Sequence, residues 1–228
     1  MKTIKSKRAA KARRRILILD DHPITRYGLT QLINHEPDLL VCGEAATVQD
    51  ALATIKSAQP DLVLADITMP GRSGLEFIKD MQAQYPGVPV LAMSMHDESI
   101  YAERVLRAGG RGYIMKNEGG EKLLEAMRRV LSRQVYVSQN VSAAVLDVFT
   151  RRGNSAGEAT PRLLSDREFE VFQLIGQGLS TQQIGRRLNL SVKTVGTHRQ
   201  HIKEKLKVRT APELIQQAVR WAAAQQLV

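Results

Sequence analysis

Between residues 16 and 133 short apolar runs alternate with amphipathic stretches. The runs at 16–19, 39–42, 62–65, 90–93 and 112–115 are almost unbroken in apolarity, which is the pattern of strands buried on both faces of a parallel sheet. Helix candidates fall between and after them at 23–34, 48–58, 74–84, 97–108 and 119–132; in the last, Leu123, Leu124, Met127, Val130 and Leu131 make one stripe. Repeated strand-helix units predict a doubly wound α/β fold with five parallel strands. Such folds bind ligands beyond the carboxyl ends of their strands, so the polar residues there are the ones to inspect.

The pattern changes after residue 133. Val141, Val145, Leu146 and Val148-Phe149 allow a further helix within a linker over 134–162, whose segment 151–161 has no apolar period. Beyond it, Ser165-x-x-Glu168, Ser180-x-x-Gln183 and Thr210-x-x-Glu213 each predict a helix start capped reciprocally, and Ser191 offers a fourth start with the cap residue alone. Residues 163–228 therefore read as a separate all-α domain of four short helices, with the first three at 166–176, 181–188 and 192–206. The length of 228 residues suits two domains of ordinary size.

Charge sharpens this division. Residues 1–15 carry a net +8, residues 16–150 a net −5 and residues 151–228 a net +7, within a total of +10. An acidic regulatory domain joined to a basic one that meets a polyanion fits that distribution, because phosphate contacts require Lys and Arg. The basic residues 1–15 read as a disordered tail, with a DNA-phosphate arm as the alternative. The single cysteine, Cys42, excludes an intrachain disulfide and reads as a buried small hydrophobe. No apolar run approaches the roughly 18 residues of a membrane span, so a cytoplasmic protein with no membrane contact is expected.

Three of the strands end in groups that belong together: Asp20-Asp21 after the first, Asp66 after the third and Lys116 after the fifth. Carboxylates crowded at one sheet edge repel unless a cation neutralises them, and an all-oxygen set favours Mg²⁺ over zinc. Lys116 supplies a positive charge opposite, and Asp66 becomes a nucleophile for a phosphoryl group.

These motifs, with D-I-T-M-P-G at Asp66, M-S-M after the fourth strand and Y-I-M-K at the fifth, resemble a response regulator receiver domain of the flavodoxin-like kind over about 16–133. The resemblance implies that Asp21, Asp66 and the Thr68 backbone carbonyl hold Mg²⁺, with Asp20 acting through water. It also implies that Ser94 turns its hydroxyl to the phosphoryl oxygen, that Tyr113 swings inward as a switch aromatic and that Lys116 pairs with the acyl phosphate. Thr68 stands where the family varies widely, and Ser94 replaces the commoner Thr.

The helical segment L-S-D-R-E-F-E-V-F-Q-L-I-G-Q-G-L-S to Leu206 resembles the LuxR-type helix-turn-helix of the NarL/FixJ response regulators over 163–225. On the helix at 192–206, Val195, Ile202 and Leu206 recur at core spacing, leaving Lys193, Gly196, Thr197, Gln200 and Lys203 outward with Arg199 near the margin. A recognition helix of this kind reads the major groove of double-stranded DNA. Thr197 and Gln200 are assigned to bases and Lys193, Arg199 and Lys203 mainly to the backbone, with Thr194 and Gly196 in the same surface. Gly196 stands where a longer side chain is common.

The two likenesses imply a transcription regulator rather than an enzyme: a sensor histidine kinase phosphorylates Asp66, and the phosphorylated chain binds promoter DNA as a homodimer. Two alternatives remain at this stage. One is a constitutive DNA-binding protein whose receiver serves only dimerisation; the other is an aspartyl-nucleophile phosphatase, though such enzymes place a second acid where Thr68 stands.

Overall fold

The computed structural model describes residues 12–69, 71–95, 98–138 and 163–226. Residues 1–11 of the basic tail and the helix expected near 141–149 lie outside the described residues.

The elements run β1 (Arg14–Leu19), α1 (Pro23–His35), β2 (Leu39–Ala45), α2 (Val48–Ala58), β3 (Leu62–Asp66), α3 (Gly74–Gln84), β4 (Val90–Ser94), α4 (Glu98–Arg107), β5 (Gly112–Met115) and α5 (Gly120–Leu131). The five strands are all parallel in the order β2-β1-β3-β4-β5. Alternation along each strand feeds two cores. Ile16, Ile18, Leu62 and Leu64 face α1 and α5, where Ile33, Leu123, Met127 and Val130 cover them. Leu17, Leu19, Val63 and Ala65 face the other way, onto Ile55 of α2, Phe77 and Ile78 of α3 and Tyr101 of α4. The order in which strands are added reverses between β1 and β3, which opens a crevice at their carboxyl ends.

Four helices form the carboxy-terminal unit: α6 (Asp166–Gly176), α7 (Thr181–Leu188), α8 (Val192–Leu206) and α9 (Ala211–Gln226). Ser165 with Glu168 and Ser180 with Gln183 close reciprocal caps at the starts of α6 and α7, while Ser191 accepts the Thr194 N–H at the start of α8. Phe169 and Phe172 of α6 pack on Trp221 of α9 with ring centroids 5.4 and 5.8 Å apart. No helix among the described residues is long and apolar enough to cross a membrane.

Four expectations need correction. β1 starts at Arg14, two residues into the expected tail, because Arg15 donates twice to the Ala58 carbonyl and Asp61 accepts from the Arg15 N–H and the Arg14 guanidinium. β2 runs on to Ala45 through Gly43 and Glu44, since an edge strand tolerates partly exposed polar positions. For the same reason Cys42 is half-buried rather than enclosed, though the burial it has pushes its thiol up. The third cap is shifted: Thr210 accepts the Glu213 N–H, while the main backbone donor to the Glu213 carboxylate is Arg209, one residue before the cap.

Candidate functional site

The sheet delivers four polar side chains to one edge. Asp20 follows β1, Asp66 closes β3, Ser94 closes β4 and Lys116 follows β5. Pairing sets Leu19 beside Ala65, Asp66 beside Met93 and Ser94 beside Met115, so these residues stand in one row. Gly74 lets α3 begin against that row. A Cβ there would lie 2.3 Å from the Asp66 carbonyl oxygen, far inside contact distance.

Lys116 Nζ is 2.6 Å from Asp66 Oδ2 and 2.7 Å from Asp20 Oδ2. The backbone holds the other oxygens: the Thr68 N–H donates to Asp66 Oδ1 and the His22 N–H to Asp20 Oδ1, each at 2.8 Å. Asp20, Asp66 and Ser94 are buried, and Thr68 is exposed in the following loop. Burial pushes the Asp66 carboxyl above its ordinary value against the pull of Lys116 and the Thr68 N–H. Burial disfavours the Lys116 ammonium too, but hydrogen bonds to Asp20 and Asp66 outweigh it and hold Lys116 above its ordinary value. The result is a desolvated carboxylate aimed at the crevice with a fixed cation beside it. Tyr113 is fully buried in the core on the α4 side of the sheet.

The donor set fits a hard cation. Asp20, Asp21, His22 and Asp66 each offer one ligand atom, all within 4.8 Å of one another. Asp21 Oδ1 is buried and has no hydrogen-bond partner among the described residues, an acceptor that a cation would satisfy. His22 was missed from sequence; its position directly after Asp20-Asp21 was the available signal.

On α8, Val195 and Ile202 are fully buried, and Leu206 packs against the same core. Lys193, Gly196, Thr197 and Gln200 are exposed, with Thr194, Arg199 and Lys203 half-buried beside them. Gln200 donates to Glu204 at 2.8 Å, and Thr197 donates to the Lys193 carbonyl at 3.2 Å. A Cβ at Gly196 would meet nothing within 4 Å, so the fold itself does not require glycine there. His198 and His201 join no cluster of metal-ligating side chains among the described residues.

The base of α8 is tied to α6 through Glu168, whose carboxylate accepts from the Ser165 N–H at 2.8 Å and from Lys205 Nζ at 2.6 Å. Burial pushes Glu168 up, but Lys205 and Ser165 outweigh it and hold the carboxyl below its ordinary value. A lowered folded value means that the stability it supplies is present above the ordinary carboxylate range and is lost as pH falls through the lower, folded value. Glu168→Gln should cost about 1–2 kcal/mol at neutral pH and flatten the acid limb of the stability curve. Denaturant unfolding followed from neutral to acid pH checks this, and an unchanged acid limb would contradict it.

The two units also touch. Tyr101 donates to Gln173 at 2.5 Å, Arg104 and Lys79 both pair with Asp166, and Arg167 donates to the Gly71 carbonyl. Between them lies a cavity of about 200 Å³ whose wall includes Asp21, His22 and Thr68 from one side and Gln177 and Arg187 from the other. None of these cross-contacts was foreseen from sequence.

Residues 16–128 match the response regulator receiver domain, and residues 162–218 match the bacterial regulatory proteins of the luxR family. The chain is 33% identical to the oxygen regulatory protein NreC of Staphylococcus carnosus over 90% of this chain and 97% of that one. A solved two-component response regulator of the LuxR family from Aurantimonas sp. superposes with a TM-score of 0.57 at 28% identity, covering 61% of this chain and all of that one. RcsB from Salmonella enterica serovar Typhimurium, solved on the promoter rprA with phosphomimetic BeF3-, aligns with a TM-score of 0.62 over 90% of this chain and 97% of its own; at 23% identity it speaks to the fold.

Proposed function

Since the chain belongs to the response regulators that join a receiver to a LuxR-type DNA-binding domain and act as transcription regulators of two-component systems, we propose that Asp66 is its phosphoacceptor and that the outward face of α8 reads its operator. The observation that carries this reading is the Asp66 carboxylate, buried at the end of β3 with Lys116 at 2.6 Å.

An Asp66 carboxylate oxygen attacks the phosphorus of the sensor kinase's phosphohistidine. A P–O bond forms, the P–N bond breaks, and its electron pair leaves with the imidazole. Lys116 pairs with the growing charge on the phosphoryl oxygens, and the Ser94 hydroxyl donates to one of them. Asp21, Asp66 and the Thr68 carbonyl would hold Mg²⁺, with Asp20 acting through water; when bound, the ion screens the phosphoryl group from the carboxylates. Tyr113 serves as the switch aromatic. The domains divide at 16–133 and 163–228, with 134–162 as the linker and the basic residues ahead of β1 as a tail. Phosphorylation favours a homodimer on paired half-sites, and the protein works in the cytoplasm.

On DNA, Thr197 and Gln200 contact base edges while Lys193, Arg199 and Lys203 hold phosphates, with Thr194 and Gly196 lining the same face. Gln200 exchanges its bond to Glu204 for a base. Gln200→Ala should then lose about 1–3 kcal/mol of preference at one base pair with little change on scrambled DNA. Lys203→Ala should weaken both DNAs alike and lower the salt slope of log affinity by about 1. Binding at several salt concentrations, with and without acetyl phosphate and Mg²⁺, tests both assignments and the coupling. Equal loss on both DNAs for Gln200→Ala, or a phosphorylation-independent affinity, would overturn the corresponding part.

A further inference from the structure

We propose that His22 is a ligand to the divalent ion of the acceptor site, so that the site prefers Mn²⁺ and other first-row transition ions to Mg²⁺. The inference rests on reading the acidic cluster as the metal site.

Position is the first argument. His22 Nδ1 lies 2.9 Å from Asp21 Oδ1 and 3.3 Å from Asp20 Oδ1. Neighbouring ligands on an octahedral ion with metal-ligand distances of 2.0–2.1 Å stand about 3 Å apart, so the nitrogen and the Asp21 oxygen already have the spacing of adjacent ligands. Yet that spacing is not a hydrogen bond: Asp21 Oδ1 has no hydrogen-bond partner among the described residues. The ring nitrogen and the carboxylate oxygen thus stand close together in a geometry that makes no hydrogen bond, an arrangement that a cation between them would satisfy.

Freedom from other duties is the second. His22 occupies the N-cap position of α1, but its side chain makes no capping bond; its backbone N–H instead fixes the Asp20 carboxylate. The loop is therefore held by the backbone, and the ring's polar contacts are to the Asp20 and Asp21 carboxylates. Its side chain is 65% exposed at the mouth of the cluster, where it replaces a water rather than a protein ligand.

The chemical consequence follows from ligand type. Mg²⁺ prefers oxygen and keeps its waters, whereas one imidazole nitrogen in a carboxylate set favours the later divalent ions.

Mn²⁺ titrations followed by EPR, with Mg²⁺ as competitor, on the full chain and its Asp21→Asn and His22→Ala variants at one pH above neutrality test this. Pulsed EPR of the bound Mn²⁺ should show histidine ¹⁴N coupling in the unaltered chain and none in His22→Ala. Removing the ring should weaken Mn²⁺ binding about tenfold or more while leaving Mg²⁺ within about twofold. Absence of the ¹⁴N coupling, or an unchanged Mn²⁺ to Mg²⁺ preference in His22→Ala, overturns the role of His22 while the acidic site stands. If Asp21→Asn binds Mn²⁺ as tightly as the unaltered chain, the acidic-site reading fails, and the inference with it.

Discussion

Acetyl phosphate and Mg²⁺ should add one phosphoryl group to the chain and none to Asp66→Ala, as read by intact mass. Asp66 has the geometry for this and its neighbours do not. Asp20 and Asp66 each accept from Lys116 and from one backbone N–H, but Asp66 closes the central strand β3, between Asp20 after β1 and Ser94 at the end of β4, with Lys116 at 2.6 Å to meet the incoming charge. Excess chelator should abolish labelling of the unaltered chain as well, because burial pushes Asp66 upward and leaves crowded carboxylates in need of a cation. Undiminished labelling of Asp66→Ala would remove the central assignment.

The largest loss of stability is expected from Phe169→Ala. Phe169 is fully buried, meets Trp221 edge-on at 5.4 Å and carries the Arg104 guanidinium over its ring at 4.3 Å from the centroid. Truncating a buried phenylalanine costs about 3–5 kcal/mol through lost transfer energy and the cavity left behind. Trp221, the only tryptophan in the chain, reports the change directly by fluorescence during denaturant unfolding. DNA binding should fall with the folded fraction while acetyl phosphate still labels Asp66. A midpoint unchanged within about 0.5 kcal/mol would show that the ring is not the centre of this core.

What the sequence disclosed follows from what burial enforces. β3, β4 and β5 are buried on both sides, so their apolar runs mark them to within a residue. Caps at Ser165, Ser180 and Ser191 place three helix starts because a side-chain oxygen must satisfy the first-turn N–H groups. Edge strand β2 was cut short because Gly43 and Glu44 break the apolar run without breaking the ladder. Asp20, Asp66, Ser94 and Lys116 were legible as strand-end residues, and parallel pairing then brings them together. His22 has no periodicity to mark it, and only its place directly after Asp20-Asp21 sets it apart from any other loop histidine. Arg104 and Asp166 stand 62 positions apart, and each alone reads as a solvated charge; only the folded chain shows them paired.

The cavity lined by Thr68 and Arg187 joins the acceptor loop to the helical unit. Asp21, His22 and Thr68, which neighbour Asp66, line one wall of a space whose other wall includes Gln177 and Arg187 of the helical unit. If phosphorylation changes the grip on an operator by some factor, thermodynamic reciprocity requires the operator to shift the phosphorylation equilibrium by that same factor. The fraction of chains phosphorylated at a given supply of donor would then depend on whether the protein is seated on its DNA, making the promoter a participant in how readily the signal is received.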